Sequence, residues 1–194
     1  MLEVVASGQD WLEIVIWNPD GSTAEMSGNG TRIAAKWLAA STGADSVTVR
    51  VGPREVHARL LPDGLVEQDL GEVEVGHAEE AAGIRFVPVD VGNPHAVVEG
   101  DPSELPRIGP LLETHERFPE RTNVQVARRT GEGELEARVW ERGAGETASS
   151  GSSAVAVAAA LGLRPVTVRF PGGPLDVRFE GRRAFLTGPA KQIG

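Results

Sequence analysis

The chain has 194 residues, of which 40% are hydrophobic, and its formal net charge at pH 7 is −9. Its 19 basic residues are scattered and form no stripe interleaved with aromatic side chains, so neither a nucleic acid nor an anionic membrane is expected as a partner. The lack of cysteine excludes disulfides, thiolate metal sites and thiol nucleophiles. No apolar run approaches a membrane span and no signal-peptide pattern opens the chain, so a cytoplasmic location is expected.

The predicted elements form two series along the chain. In the first half, alternating and apolar runs predict strands, and a polar stretch predicts a linker between two domains. These are strands at residues 12–17, 47–50 and 55–61 and a linker within residues 67–83. The second half holds a segment at residues 87–100, a short helix near residues 105–115, and strands at residues 135–140, 166–169 and 175–180.

The first half also contains an amphipathic run over residues 31–40, which predicts a helix. We expect Ile33, Ala34, Trp37 and Leu38 to line one face of it.

Each half places a Ser-Gly pair at the start of a predicted helix. Ser27-Gly28 stands in EMSGNGTR, and Ser150-Gly151 stands in ETASSGSSA. The helix that follows the second pair, at residues 155–161, is apolar all round, which is typical of a buried helix. Free N–H groups and the positive end of the helix dipole make such a start a site for a carboxylate.

The two halves repeat one another. At a constant offset of 123 residues, LEIVIW falls on LEARVW and Ser27 falls on Ser150, while VTVR recurs at an offset of 119. A register held through strand, turn, helix and strand indicates an internal duplication. We therefore predict an α+β fold with two pseudo-symmetric domains, residues 1–75 and 84–194.

The duplication leaves about forty residues of the second half without a counterpart, since Met1 aligns with Val124. Either the first half is trimmed at its front or this version of the fold lost a strand and a helix, and we favour a trimmed or misplaced start. The sheet of the first half is then expected to have an exposed edge.

Ser27 and Ser150 have two interpretations. Serine is a preferred N-cap, worth about 1 kcal/mol relative to alanine, and for either residue alone this role is favoured. Two equivalent serines at pseudo-symmetric helix starts favour a shared role on opposite sides of one substrate carbon. One group would remove a proton and the other would return it.

Six segments in a fixed order cover most of the chain and together resemble the diaminopimelate epimerase family: NPDGSTAEMSGNGTR, VGNPHAVV, FPERTNVQV, RVWERGAGETASSGSSA, VRFPGGPLDV and LTGPA. The resemblance implies two domains, each a curved sheet around a central helix. It also implies cofactor-independent conversion of LL-diaminopimelate to the meso form by two bases, a step that feeds lysine and cell-wall synthesis. No cofactor and no metal are expected.

The resemblance also implies roles for particular residues. The catalytic positions are Ser27 and Ser150. The groups expected to bind the distal amino-acid end of the substrate are Asn18, Asn93, Asn123, Glu141 and Arg142. The backbone N–H groups expected to bind the α-carboxylate belong to Gly28, Asn29, Gly151 and Ser152. His95 is either a site-lining residue or a structural residue of its loop.

The family has cysteine where this chain has Ser27 and Ser150. A hydroxyl is a far weaker acid than a thiol and normally needs an adjacent base, so three hypotheses stay open. The chain is an epimerase acting on a small zwitterionic amino acid; or a related racemase, isomerase or dehydratase; or a binding homologue that lost the chemistry. A homodimer is compatible with the resemblance and with an exposed sheet edge.

Overall fold

The structure is a computed structural model, and it describes residues 1–17, 21, 23–24 and 26–190. The chain divides into two compact units, Met1–Leu70 with Phe185–Gly194, and Gly71–Ala184. None of the helices in these described ranges has both the length and the apolar character that a bilayer crossing requires.

The elements of the fold follow one another along the chain in a fixed order. They are β1 (Leu2–Ser7), β2 (Trp11–Ile16), α1 (Gly28–Thr42), β3 (Ser46–Val51), β4 (Arg54–Leu60), β5 (Leu65–Glu72), β6 (Glu74–Val75), β7 (Glu79–Ala81), β8 (Ile84–Asp90), β9 (Pro94–Glu99), a 3₁₀ turn (Pro102–Glu104), α2 (Leu105–Glu113), β10 (Asn123–Gly131), β11 (Glu134–Glu141), β12 (Gly145–Thr147), α3 (Gly151–Ala160), β13 (Val166–Phe170), β14 (Gly173–Glu180) and β15 (Arg183–Pro189).

The first unit is a mixed sheet with α1 packed against it. Its strand order is β1-β2-β3-β4-β5-β15, and β2 pairs with β3 in parallel, with Leu12 opposite Val49. Strand β1 lies at the end of this order and exposes Val4 and Val5, as expected for an edge strand.

The buried face of α1 differs from the expected one. Ala34 and Leu38 are buried, but Ile33 and Trp37 are 37% and 50% exposed. The helix turns about 100° per residue, so Ala35 shares the face of Ala34 and Leu38, whereas Ile33 and Trp37 point away from it. The prediction that all four residues line one face was therefore wrong for the two bulky side chains.

The second unit is a longer mixed sheet with two helices. Its strand order is β14-β13-β11-β10-β9-β8-β6, while β12 pairs with β11 and β7 pairs with β8. The pairs β9–β10 and β11–β13 are parallel. Helix α3 is buried on all sides, as its apolar sequence predicted, and α2 packs on β10 and β11.

The two units share one local topology, while the internal duplication itself stays a prediction. The series β2–α1–β3–β4 of the first unit has the same order and strand directions as β11–α3–β13–β14 of the second. Leu12 lies opposite Val49 in one parallel pair, and Leu135 lies opposite Val168 in the other.

The boundary between the compact units follows Leu70, within the stretch expected to hold the linker, but the end of the chain departs from the expected domains. Residues 67–83, expected to hold the linker, contain β6, β7 and most of β5. From Phe185 onward, the end of the chain groups with the first unit rather than the second, since β15 is a neighbour of β5 in the strand order. This return could not be inferred from the repeat, which aligns only β2 to β4 with β11 to β14.

Candidate active site

Ser27 is the N-cap of α1 in the first unit. Its backbone is extended (φ −145°), and its Oγ accepts a hydrogen bond of 3.1 Å from the N–H of Gly30. Gly28 and Asn29 occupy the first two helical positions, whose N–H groups have no acceptor within the helix. The predicted start of this helix at the Ser-Gly pair is confirmed.

The first turn of α1 is held by a buried cation that the sequence reasoning missed. Arg32 donates from Nη1 to the carbonyl oxygen of Gly28 (3.0 Å) and from Nε to that of Pro189 (3.3 Å). Burial lowers the pKa of Arg32 to about 10. The buried side-chain amide of Gln68 lies 2.6 Å from Thr31 Oγ1 in the same turn. The sequence signal that could have revealed this buried cation is the position of Arg32 among the apolar residues of α1.

Ser150 is the N-cap of α3 in the second unit, and it differs from Ser27. Its backbone is also extended (φ −144°), but its Oγ makes no capping hydrogen bond. The side chain is nonetheless enclosed, with the residue 9% exposed. Gly151 and Ser152 follow at the first two helical positions. The hydroxyl of Ser150 is therefore not committed to the helix, whereas that of Ser27 accepts from it.

His95 lies in the interior of the second unit, next to the N-terminal turn of α3. Its Nε2 is 3.0 Å from Asn93 Oδ1, and its Nδ1 is 2.9 Å from Gln125 Nε2. Gln125 Nε2 also donates to Ser153 Oγ at 3.0 Å, which links the histidine to α3. Burial lowers the pKa of His95 to about 3, and the charge of Arg142 lowers it further, against the bond from Gln125.

Asn123 joins two segments that the sequence assigned to substrate binding. Its Nδ2 donates to the carbonyl oxygen of Pro94 (2.9 Å), and its Oδ1 accepts from the backbone N–H of Arg142 (3.0 Å). The Arg142 guanidinium donates from Nη1 to the carbonyl oxygen of Glu120 at 3.4 Å. Asn123 is therefore also a structural link between the start of β9 and the turn after β11.

Glu141 is half-buried at the end of β11 and accepts a hydrogen bond from the hydroxyl of Thr147 in β12. Burial raises the pKa of Glu141, against the effect of this hydrogen bond. Glu141 and Arg142 are adjacent, so the turn carries one acidic and one basic group.

The predicted site residues thus fall in both units. The second unit brings together Asn93, His95, Asn123 and Arg142, with Ser153 of α3 joined to them through Gln125. Ser27, Gly28 and Asn29 begin α1 in the first unit. Asn18 lies outside the described residues. Gln125 was not singled out from the sequence, although it stands two residues after Asn123 on the same strand, where side chains share a face.

Comparison with known proteins tests the resemblance. The family model described as diaminopimelate epimerase matches residues 87–193. The diaminopimelate epimerase of Rhizobium meliloti (strain 1021) is 37% identical over an alignment 219 positions long, which covers 96% of this chain and 72% of that protein. The chain belongs to the diaminopimelate epimerase family. The family's enzyme from Synechocystis is also 37% identical, over 92% of this chain and 75% of that protein.

Solved structures agree with the fold expected for a diaminopimelate epimerase family member. A hydroxyproline epimerase from Agrobacterium vitis, with bound trans-4-hydroxy-L-proline, superposes with a TM-score of 0.75 at 17% identity, over 100% of this chain and 72% of that one. A phenazine biosynthesis protein of the PhzF family from Bacillus anthracis gives 0.74 at 11% identity, over 98% and 81%. Family membership makes this chain an enzyme of the isomerase class with epimerase function.

Proposed function

We propose that the chain is a cofactor-independent amino-acid epimerase that converts LL-diaminopimelate to meso-diaminopimelate, a step of lysine and peptidoglycan synthesis. The observation that carries the proposal is the link that Asn123 makes in the second unit between the backbone of Arg142 and the carbonyl of Pro94, the residue that follows Asn93. A racemase of a simple amino acid needs no recognition of a second amino-acid end.

Arg142 and Asn93 have the chemistry that this distal end requires. The planar guanidinium of Arg142 suits a carboxylate, because it offers parallel N–H donors. Asn93 uses its Oδ1 toward His95, which leaves its amide nitrogen as a donor for the substrate. The carboxylate of Glu141, when ionised, accepts from the distal ammonium group.

The reaction breaks and re-forms one C–H bond. One group takes the α-proton, the electron pair is delocalised into the α-carboxylate, and a second group delivers a proton to the opposite face. Preorganised donors stabilise the charge that develops on the carboxylate oxygens. We assign this role to the N–H groups of Gly28, Asn29, Gly151 and Ser152, which begin α1 and α3.

Ser27 and Ser150 are proposed as the proton-transfer groups. Each is the N-cap of its helix, where the positive end of the dipole favours an anionic oxygen. The hydroxyl of Ser150 makes no capping bond and is therefore the freer of the two.

The test is exchange of the α-proton. The protein is incubated with LL-diaminopimelate in D₂O, and the α-proton signal and the formation of the meso isomer are followed by NMR. Exchange together with meso product supports the proposal, and Arg142→Ala should reduce it strongly while the exposed Arg107→Ala leaves it unchanged. Binding of diaminopimelate without exchange would indicate a binding homologue. Exchange of proline or hydroxyproline instead would indicate a related racemase.

A further inference from the structure

A buried carboxylate lies beneath the turn that carries Glu141 and Arg142. It belongs to Glu113, the last residue of α2, which is only 7% exposed. Its Oε2 accepts from Trp140 Nε1 at 2.7 Å, and its Oε1 accepts from the backbone N–H of Gly143 at 2.8 Å. A single carboxylate therefore holds the residues on both sides of the Glu141-Arg142 pair.

The turn is closed by its own backbone as well. The N–H of Ala144 donates to the carbonyl oxygen of Glu141 at 3.0 Å, and Gly143 has φ 74°, a conformation that favours glycine. Asn123 Oδ1 fixes the N–H of Arg142 from the other side. The backbone of Arg142 is thus fixed by Asn123 at its own N–H and by Glu113 at the next one.

Helix α2 packs closely against Trp140, which lies just before this turn. Gly109 lies one helical turn before Glu113, and a Cβ at Gly109 would approach the Trp140 side chain to 2.8 Å. The missing side chain lets Trp140 pack against the helix while its indole N–H reaches Glu113. A buried carboxylate is costly unless it is hydrogen-bonded, and in this helix both of its oxygens are.

Glu113 also reaches the segment before β10. Its Oε1 is 3.6 Å from Nη1 of Arg121, a non-glycine residue with φ 61°. The carbonyl oxygen of the preceding Glu120 accepts from Arg142 Nη1. Glu113 therefore contacts the turn that carries Arg142, at Gly143. Through Arg121 it also contacts the segment whose Glu120 carbonyl accepts from the Arg142 side chain.

We propose that Glu113 is a positioning residue that sets Arg142 for the distal carboxylate of the substrate. The inference rests on the proposed function for its ligand, but the contacts of Glu113 are independent of it. Glu113→Gln keeps the shape of the side chain. It replaces one acceptor with a donor that faces Gly143 N–H or Trp140 Nε1–H, so one of the two bonds is lost.

The first measurement needs no ligand. Hydrogen exchange of the Gly143 amide and the Trp140 indole is followed by NMR in the whole chain, relative to the core amide of Val126. We expect Glu113→Gln to speed the exchange of whichever of the two protons loses its acceptor by at least about tenfold. Glu104→Gln, at an exposed ion pair near the start of the same helix, should change neither rate. Equal rates in the wild type and Glu113→Gln would overturn the proposal. If Glu113→Gln does not fold, Glu113→Asp keeps the charge, withdraws the carboxylate by one methylene and should give the same result.

The second measurement is the dissociation constant of diaminopimelate for the wild type, Glu113→Gln, Arg142→Ala and the double variant. We expect a loss of about tenfold for Glu113→Gln alone and no further loss when Arg142 is already absent. A full additional loss in the Arg142→Ala background would show that Glu113 does not act through Arg142. If the wild type binds no diaminopimelate, the proposed function fails, and hydrogen exchange alone decides the role of Glu113 in holding the turn.

Discussion

Gln125 Nε2 and His95 Nδ1 lie 2.9 Å apart, and this contact joins the buried imidazole to strand β10. The other ring nitrogen, Nε2, lies 3.0 Å from Asn93 Oδ1. Full burial then favours the neutral ring, and the pKa of His95 falls to about 3. His95 is thereby suited to orienting Asn93 rather than to exchanging protons near neutral pH.

The neutral His95 predicts an acid-dependent loss of stability. The unfolded chain takes up a proton on His95 near its ordinary pKa of 6.5, and the folded protein does so only near pH 3. The free energy of unfolding should therefore fall as the pH drops from about 6.5 toward about 3, by on the order of 3 kcal/mol at pH 4 from this residue. Urea unfolding at several pH values measures the slope, and NMR of the His95 ring should show no titration above pH 5.

His95→Gln removes this titration and should flatten the slope, whereas His77→Gln, at an exposed position, should preserve it. A His95 ring that titrates near pH 6.5 in the folded protein would contradict the prediction.

We expect replacement of the two N-cap serines by alanine to lower the free energy of unfolding by different amounts. Ser27→Ala removes the hydrogen bond to the N–H of Gly30 and should lower the free energy of unfolding by about 1 kcal/mol. Ser150→Ala removes no capping bond and should cost less than half as much, although both variants should lose α-proton exchange. Chemical denaturation measures the free energy of unfolding of both variants. Equal stability losses would mean that the Ser150 hydroxyl does cap α3 in solution.

The features that the sequence predicted well are local or repeated. The Ser-Gly pairs were placed at helix starts because capping residues act within one turn, and both Ser27 and Ser150 are N-caps. The repeated pattern also predicted a strand before and after each of the two helices, and the structure has β2 and β3 around α1 and β11 and β13 around α3.

The features that the sequence did not reveal depend on distant partners. Glu113 lies 27 residues from Trp140 and 30 from Gly143, and nothing in the helical pattern of α2 marks its carboxylate as buried. Trp37 was placed on the buried face of α1 because it is large and apolar, whereas two alanines and Leu38 fill that face. The return of Phe185 to the first unit depends on sheet pairing that no local pattern encodes.

The close contact between α2 and Trp140 can be tested by adding a methyl group at Gly109. Gly109→Ala adds a methyl group that would approach Trp140 to 2.8 Å, so Trp140 or the helix must move. Alanine is favoured over glycine in a helix by about 1 kcal/mol, but overpacking of this kind costs about 1–3 kcal/mol, so we expect net destabilisation. Denaturation measures it, with Gly131→Ala as the control because its nearest neighbour is 4.0 Å away. A stabilised Gly109→Ala would show that Trp140 moves freely.

The role of the two serines in proton transfer can be tested by replacing their hydroxyl groups with thiols at the two helix starts. A thiol has a pKa near 8.5, and a helix N-terminus lowers it, whereas a serine hydroxyl is far less acidic. Ser27→Cys and Ser150→Cys together should therefore raise the rate of α-proton exchange from diaminopimelate by at least about tenfold, because the thiolate is populated near neutral pH. Rates of exchange in D₂O measure the effect.

The single variants Ser27→Cys and Ser150→Cys distinguish the roles of the two positions. If the two serines act on one substrate carbon, each single cysteine variant should accelerate removal of the proton from one of the two isomers, LL or meso, more than from the other. Ser103→Cys, on the exposed 3₁₀ turn, controls for the added thiol and should leave both rates unchanged. If the double variant exchanges no faster than the wild type, acidity at Ser27 and Ser150 does not limit proton transfer. The rate would then depend on another group or on binding, and the assignment of these two serines as the proton-transfer pair would be wrong.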